Sequence, residues 1–308
     1  MAEKQENQEN QEKHEEYQYL NTIKTIIEAG HWEEGRNGKT KSIFGQSMRF
    51  SLQNGKIPIL TTKKTAWKTC LKELLWFIKG ETDNSILRSQ NVHIWDGNAS
   101  KEFMISRGLE HYPEGMLGPI YGYQWRHYNA SYDISTGKPI TEGKPISEGI
   151  DQLQQIIDSL KDPKERTSRR LILTAWNPSQ LNEMALPPCH ILCQFNVHGG
   201  NKLSCALYQR SCDFPLGSPI NIASYSFLTH LLAKHCDLEP YEFIYFGGNC
   251  HIYEDHIESM KTVLERTPFE FPTLEIASIK PDINAYEVSD FIVSDYKCHE
   301  VVKMKMVV

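Results

Sequence analysis

The most regular pattern in the sequence is a pair of alternating segments, Ile191–Val197 and Leu203–Arg210, separated by His198-Gly199-Gly200-Asn201. Two period-two runs joined by a short glycine-containing connection predict a β-hairpin, which excludes a purely helical fold. The pleat also fixes facing. On the second strand Arg210 shares a side with Tyr208 and Ala206, while Gln209 points the other way. Just upstream, Leu186-Pro187-Pro188-Cys189-His190 places two prolines at the entry to the first strand. Their fixed φ presents Cys189 rigidly at the strand's mouth, as suits a nucleophile.

The rest of the chain mixes helix and strand signals. Tyr17–Ala29 is apolar at 20, 23, 26 and 27, with Gly30 as a stop, and predicts an amphipathic helix. Ser42–Leu52 and Ile57–Leu60 read as strands about Gln53-Asn54-Gly55, whose Asn-Gly pair suits a tight turn. Ala66–Lys79 is apolar at 67, 70, 71, 74, 75 and 78, a core helix that carries Glu73 among its buried positions. A buried carboxylate needs partners or a raised pKa, and the second is what a catalytic proton handler uses. Ile150–Leu160 repeats the helical period until Asp162-Pro163, and Leu171–Trp176 reads as a strand. Asn221–His235 and His251–Arg266 read as helices, and 272–308 as short strands and loops. Residues 129–149, rich in Ser, Thr, Gly and Pro, read as a surface loop because core-like segments flank them. The expected class is α+β: a single domain with a mixed β-sheet and packed helices.

Composition narrows the chemistry. The first sixteen residues hold six Glu and two Lys and almost nothing to bury, so residues 1–16 are expected to be a disordered acidic tail before a domain spanning 17–308. Removing them from the 33 basic and 39 acidic residues leaves 31 against 33, too even a balance for a broad nucleic-acid field. Any anion site must be local. The longest apolar run, Leu74-Leu75-Trp76-Phe77-Ile78, is far below the roughly 20 residues of a membrane span. The start lacks the apolar stretch of a secretory signal and is too acidic for a transit peptide, which makes the cytoplasm, or the nucleus, the expected address. Eight cysteines without a CxxC pair are expected to be mostly reduced, with no metal bound.

A cysteine in a core strand is ordinarily inert, but arginines change the case. Arg169-Arg170 open one predicted strand, Arg210-Ser211 close another, and Arg36 lies in a loop containing Asn and Gly. Converging guanidinium groups would bind a phosphate dianion bidentately and favour a thiolate, so spacing alone points to a phosphate-ester site around Cys189.

From about Tyr19 to its end the chain resembles the thymidylate synthases. The resemblance is carried by Lys72-Glu-Leu-Leu-Trp-Phe-Ile78, Ile94-Trp-Asp96, Leu117-Gly-Pro-Ile-Tyr-Gly-Tyr-Gln-Trp-Arg126, Ser168-Arg-Arg170, Met184-Ala-Leu-Pro-Pro-Cys-His190, Leu207-Tyr-Gln-Arg-Ser-Cys-Asp213 and Asn221-Ile-Ala-Ser-Tyr225. It implies a reductive methylation of dUMP to dTMP in which 5,10-methylenetetrahydrofolate supplies the one-carbon unit and the hydride, with no metal. Cys189 would add at carbon 6 of uracil, turning an unreactive carbon 5 into an enolate carbon.

The resemblance also implies roles. Arg36, Arg210 and Ser211 would hold the 5′-phosphate, with Arg169 and Arg170 reaching it from the neighbouring subunit of a homodimer built through the sheet. Asn221 would read the uracil edge, His251 and Tyr253 the ribose 3′-hydroxyl, and Glu73, Tyr121, His190 and Gln209 would organise proton transfers near O4. Asp213 would anchor the pterin, with Cys212 beside it in the substrate-binding motif. Ile94, Trp95, Leu216 and Gly217 would form the folate wall, Lys63 would meet a polyglutamate tail, and Val307 would close over the ternary complex.

Several positions depart from the family pattern. The loop Arg36-Asn-Gly-Lys-Thr-Lys41 is one residue short, Met116 replaces an Asp, and Ile220 a Phe. Asn249 and Cys250 stand in place of Asp and a small residue, and Ala66 and Cys298-His299-Glu300 also differ. A deoxyuridylate hydroxymethylase, in which water replaces hydride at the last step, is the near rival. A non-catalytic nucleic-acid-binding protein on the same fold is the distant one.

Overall fold

The computed structural model describes residues 14–35, 38–140 and 149–305. In chain order the principal elements are α1 (Tyr17–Ala29), β1 (His31–Gly35), β2 (Gly38–Ser51), α2 (Trp67–Ile78), α3 (Asn84–Ser89), α4 (Lys101–Ser106), α5 (Tyr121–His127) and α6 (Gln152–Lys161). They continue with β3 (Ile172–Thr174), β4 (His190–His198), β5 (Lys202–Asp213), α7 (Gly217–His235), β6 (Glu239–Tyr253), α8 (Ile257–Leu264), β7 (Thr273–Ile276) and β8 (Phe291–Ser294).

Six strands form one sheet in the order β1-β2-β6-β5-β4-β3, and β7 and β8 form a separate pair. Only β5 and β6 run parallel within the large sheet, which makes it mixed, as expected. A parallel pair needs a crossover, and α7 supplies it, lying on β5 and β6. Because α7 is covered on nearly every side, its Phe227, Leu228, Leu231 and Leu232 are all fully buried. Its hydroxyls are satisfied within the helix, Ser226 donating to Ile222 O and Thr229 to Tyr225 O, each at 2.7 Å. The other face of the sheet is open: Phe44 is 82% exposed, and Ile172, Tyr208 and Phe246 are also exposed there.

The predicted hairpin forms as β4 and β5, with Gly199 and Gly200 at positive φ in the connection. The core helix forms as α2, and the Asn-Gly turn forms with Asn54 and Gly55 both left-handed. Four expectations need correction. Ile57–Leu60 is not a strand: Pro58 interrupts it, and its backbone instead meets the β7 side, Ile57 N–H donating to Pro272 O at 3.0 Å. His251–Arg266 is not one helix, because residues through Tyr253 extend β6 between β2 and β5, Glu254–His256 form a 3₁₀ turn, and the α-helix is confined to Ile257–Leu264. The helix predicted from Asn221 begins at Gly217, so Asn221 lies inside α7 and does not cap it.

The fourth concerns the acidic tail. Residues 1–13 lie outside the described residues, but 14–16 are ordered, and Glu16 is 0% exposed. Its carboxylate accepts the backbone N–H and hydroxyl of both Thr61 and Thr62, at 2.6–3.0 Å. Four donors replace the water lost on burial, which is why a charged residue can sit there.

Candidate active site

The C-terminal ends of β5 and β6, the entry to β4, and the first turns of α5 and α7 surround a cavity of about 660 Å³. Cys189 lines it and is partly exposed. The backbone there is held from both sides: Cys189 N–H donates to the Tyr121 hydroxyl at 2.8 Å, and Cys189 O accepts from Arg210 N–H at 2.8 Å. Arg210 fixes the preceding prolines as well, Nε donating to Pro188 O at 2.8 Å and Nη2 to Pro187 O at 2.9 Å. Its guanidinium sits 5.5 Å over the Trp176 ring. Burial pushes the Cys189 thiol up, while Arg210 and the Tyr121 hydroxyl oppose that push.

Glu73, on α2, is buried beside the thiol's neighbours and accepts from Trp95 Nε1 at 2.7 Å. Burial raises its carboxyl to about 7, against the pull of that hydrogen bond, so near neutral pH it can both give and take a proton. His190 stacks on Tyr121 with ring centroids 4.1 Å apart and shares a 2.8 Å hydrogen bond through Nδ1 with the Tyr225 hydroxyl. Burial drives its imidazole down to about 3, which keeps it neutral. Gln209 is 2% exposed; its Nε2 donates to Ser211 O at 3.0 Å, and its Oε1 has no hydrogen-bond partner among the described residues.

Asp213 ends β5 and turns the chain into α7, Oδ1 accepting from Leu216 N–H at 3.3 Å. Burial raises its carboxyl and nearby His251 opposes the rise. One turn into α7, Asn221 lines the cavity. From β6, His251 and Tyr253 line it with rings 5.4 Å apart, and Asn249 Oδ1 meets His251 Nδ1 at 2.9 Å. Ile94, Trp95, Gly217 and Ser211 complete the predicted set on the wall. A held thiol, a carboxyl near 7, a neutral imidazole and amides facing one space can support nucleophilic addition coupled to proton transfer.

Other predicted residues stand apart. Arg169 and Arg170 are exposed beside edge strand β3 and do not line the cavity. Lys63 is buried with Nζ donating to Pro215 O, and burial lowers it to about 8. Leu216 supplies its backbone N–H to Asp213, and Cys212 is fully buried opposite Cys250 in the β5–β6 register. Arg36 and Val307 lie outside the described residues. Sequence reasoning assigned no role to Tyr225, which orients His190, nor to Asn98 and Arg107, which line the cavity. Tyr225 follows Asn221 by one helical turn and so shares its face, a signal that was available.

A family model described as thymidylate synthase matches residues 17–308. The chain is 47% identical over 295 residues to a bifunctional dihydrofolate reductase-thymidylate synthase of Zea mays, covering 94% of this chain and 54% of that protein. Its counterpart in Leishmania major is 47% identical over 293 residues, covering 94% and 55%. A thymidylate synthase of Equine herpesvirus 2 is 47% identical over 291 residues, covering 94% of this chain and 97% of the viral one. The chain thus spans about half the length of the bifunctional relatives and nearly all of the viral relative. With the family match running from α1 through every element that surrounds the cavity, the chain belongs to the thymidylate synthase family.

Proposed function

We propose that this cavity methylates dUMP reductively to dTMP, with 5,10-methylenetetrahydrofolate as second substrate. The observation that carries the reading is the convergence of Cys189, Arg210, Asn221 and Asp213 on one space of about 660 Å³, roomy enough for a nucleotide against a flat second ligand. The folate supplies the one-carbon unit and then the hydride. The chain's own groups do the rest.

Cys189 sulfur bonds to carbon 6 of the uracil, and the displaced electron pair moves through carbon 5 toward O4. The thiol proton leaves as that bond forms and passes by way of the Glu73 carboxylate to the enolate oxygen developing at O4, so a thiolate need not persist beforehand in a site where burial disfavours it. Asn221 donates to O4 and accepts from N3–H, Gln209 offers its unpartnered Oε1, and Glu73 passes protons near O4 with Tyr121 and neutral His190 as neighbours. Carbon 5 then bonds to the folate's one-carbon unit and gives up its own proton, tetrahydrofolate leaves with the electron pair of the broken nitrogen–carbon bond, and hydride from that folate completes the methyl group as the sulfur–carbon bond breaks and restores Cys189. Arg210 and Ser211 take the phosphate with Arg36, His251 and Tyr253 take the ribose, and Asp213 takes the pterin against Ile94, Trp95, Leu216 and Gly217. Val307 closes over the bound pair.

Arg169 and Arg170 reach the phosphate from a second copy. Support for a homodimer comes from the open sheet face, whose exposed Phe44, Ile172, Tyr208 and Phe246 are apolar side chains suited to burial against the same face of another chain. The eight unpaired thiols suit a reducing compartment such as the cytoplasm. Among the described residues no helix is long and apolar enough to cross a membrane.

Mass spectrometry of the protein with 5-fluoro-dUMP and the folate tests the reading: fluorine at carbon 5 blocks proton loss, so a covalent ternary adduct is expected on Cys189. An unmodified Cys189 in protein that turns over dUMP would reject it. With dUMP itself, thymidylate plus dihydrofolate is expected; hydroxymethyl-dUMP plus tetrahydrofolate would make the chain a hydroxymethylase.

A further inference from the structure

We propose that Arg107 is the residue that binds the glutamate carboxylates of the folate, an inference that rests on the function proposed above. Arg107 and Arg210 are the arginines on the cavity wall among the described residues, and no lysine joins them there. Arg210 is assigned the phosphate above, and two of its nitrogens already donate to Pro187 O and Pro188 O. Arg107 is not committed. Its Nε is buried and has no hydrogen-bond partner among the described residues, and no described carboxylate forms an ion pair with it. Glu33 and Glu34 line the same cavity from β1, yet neither is bonded to it.

A buried guanidinium N–H left without an acceptor is costly, and it is retained most readily where a ligand supplies the acceptor. The position indicates which ligand. Arg107 caps the C-terminus of α4, in the stretch of chain that follows Ile94, Trp95 and Asn98, and it lines the cavity together with those three residues, two of which are assigned above to the folate. The nucleotide phosphate is assigned to Arg210 and Ser211, which come from β5. The fork formed by Nε and one Nη fits a carboxylate bidentately, and the glutamate end of a folate carries two carboxylates. Lys63, the residue expected to meet that tail, is buried on Pro215 O and absent from the wall, so it leaves the role open.

Calorimetry on the dUMP-saturated protein tests this with two probes: a non-reacting folate analogue bearing free glutamate carboxylates, and its dimethyl ester. The wild type is expected to bind the free acid at least about tenfold tighter than the ester, as loss of one charge-assisted hydrogen bond implies. Arg107→Gln is expected to lose that preference by weakening the free acid alone, and Arg107→Lys, which keeps the charge without the fork, to fall between. Far-ultraviolet circular dichroism and the dUMP affinity establish that each variant is folded. Equal weakening of acid and ester in Arg107→Gln would show a packing role and overturn the proposal. So would a wild type that binds both probes alike; in either case the Cys189 adduct would still stand. A wild type that binds neither probe and forms no adduct would overturn this inference together with the proposed function.

Discussion

The Tyr121 hydroxyl accepts the backbone N–H of Cys189 at 2.8 Å, so the residue proposed as nucleophile is held by a side chain 68 positions earlier. The same ring stacks on His190, which ties three candidate residues into one rigid group. Tyr121→Phe keeps the stack and removes only the acceptor. The Cys189 N–H would then be unpaired at a cost of about 1–3 kcal/mol. If that cost falls mainly on the positioned sulfur, kcat drops on the order of 10- to 100-fold. Steady-state kinetics should show this fall with a KM for dUMP that moves much less. An unchanged kcat would mean that the hydroxyl merely fills space.

Glu73 links catalysis to stability through its charge. Its folded-state pKa of about 7 stands above the ordinary 4.5, so between those values the folded protein keeps a proton that the unfolded chain has released. Stability should therefore fall as pH rises from about 4.5 to 7, by on the order of 2–3 kcal/mol for this group. Glu73→Gln keeps an acceptor for Trp95 Nε1 and removes the buried charge. The variant should melt higher than the wild type at pH 8, match it near pH 4.5, and turn over slowly at both. Parallel melting curves across that range would contradict the assignment.

Much of this arrangement was legible where the signal is local. The β4–β5 hairpin declares itself by alternation, and Glu73 by occupying an apolar position of a periodic helix. Long-range partnerships were not legible. β1 is a short polar edge strand, HWEEG, that exists because β2 pairs with it. The end of β6 read as helix because a strand flanked on both sides need not alternate, which hid that His251 and Tyr253 reach the cavity from the sheet. Glu16 looked like one more residue of an acidic tail; its acceptance of Thr61 and Thr62 depends on a contact 45 residues away. Arg107 carries no motif, and only its place on the wall and its unpaired Nε distinguish it.

Removing the Glu16 carboxylate should expose how firmly α1 is pinned to the body of the fold. Glu16→Ala strips the acceptor from two backbone N–H groups and two hydroxyls in a fully buried pocket. Truncating one side of such a buried charged cluster costs about 3–5 kcal/mol. Thermal unfolding of Glu16→Ala should therefore begin well below that of Glu16→Gln, which retains one acceptor oxygen. Equal midpoints for both variants and the wild type would show that the cluster adds nothing to stability.

Asn221 offers the sharpest test of base recognition because its amide presents one donor and one acceptor to a single edge. Uracil shows an acceptor at O4 and a donor at N3, which the amide meets in one orientation; cytosine shows the reverse, an amino donor at carbon 4 and an acceptor at N3. The neighbouring helix turn fixes the Asn221 backbone, since α7 begins four residues earlier at Gly217 and runs without a break through His235. An aspartic acid at 221, protonated as it meets the base, would donate to cytosine N3 and accept from its amino group. Asn221→Asp should therefore lose dUMP turnover and gain dCMP turnover. A site that hydrogen-bonds one edge typically rejects the mismatched one by a factor on the order of 10⁴, so the ratio of kcat/KM values for the two nucleotides should move by several decades. Should the variant keep the wild-type preference for dUMP, Asn221 does not face the base, and the orientation of the nucleotide in the cavity would have to be reversed.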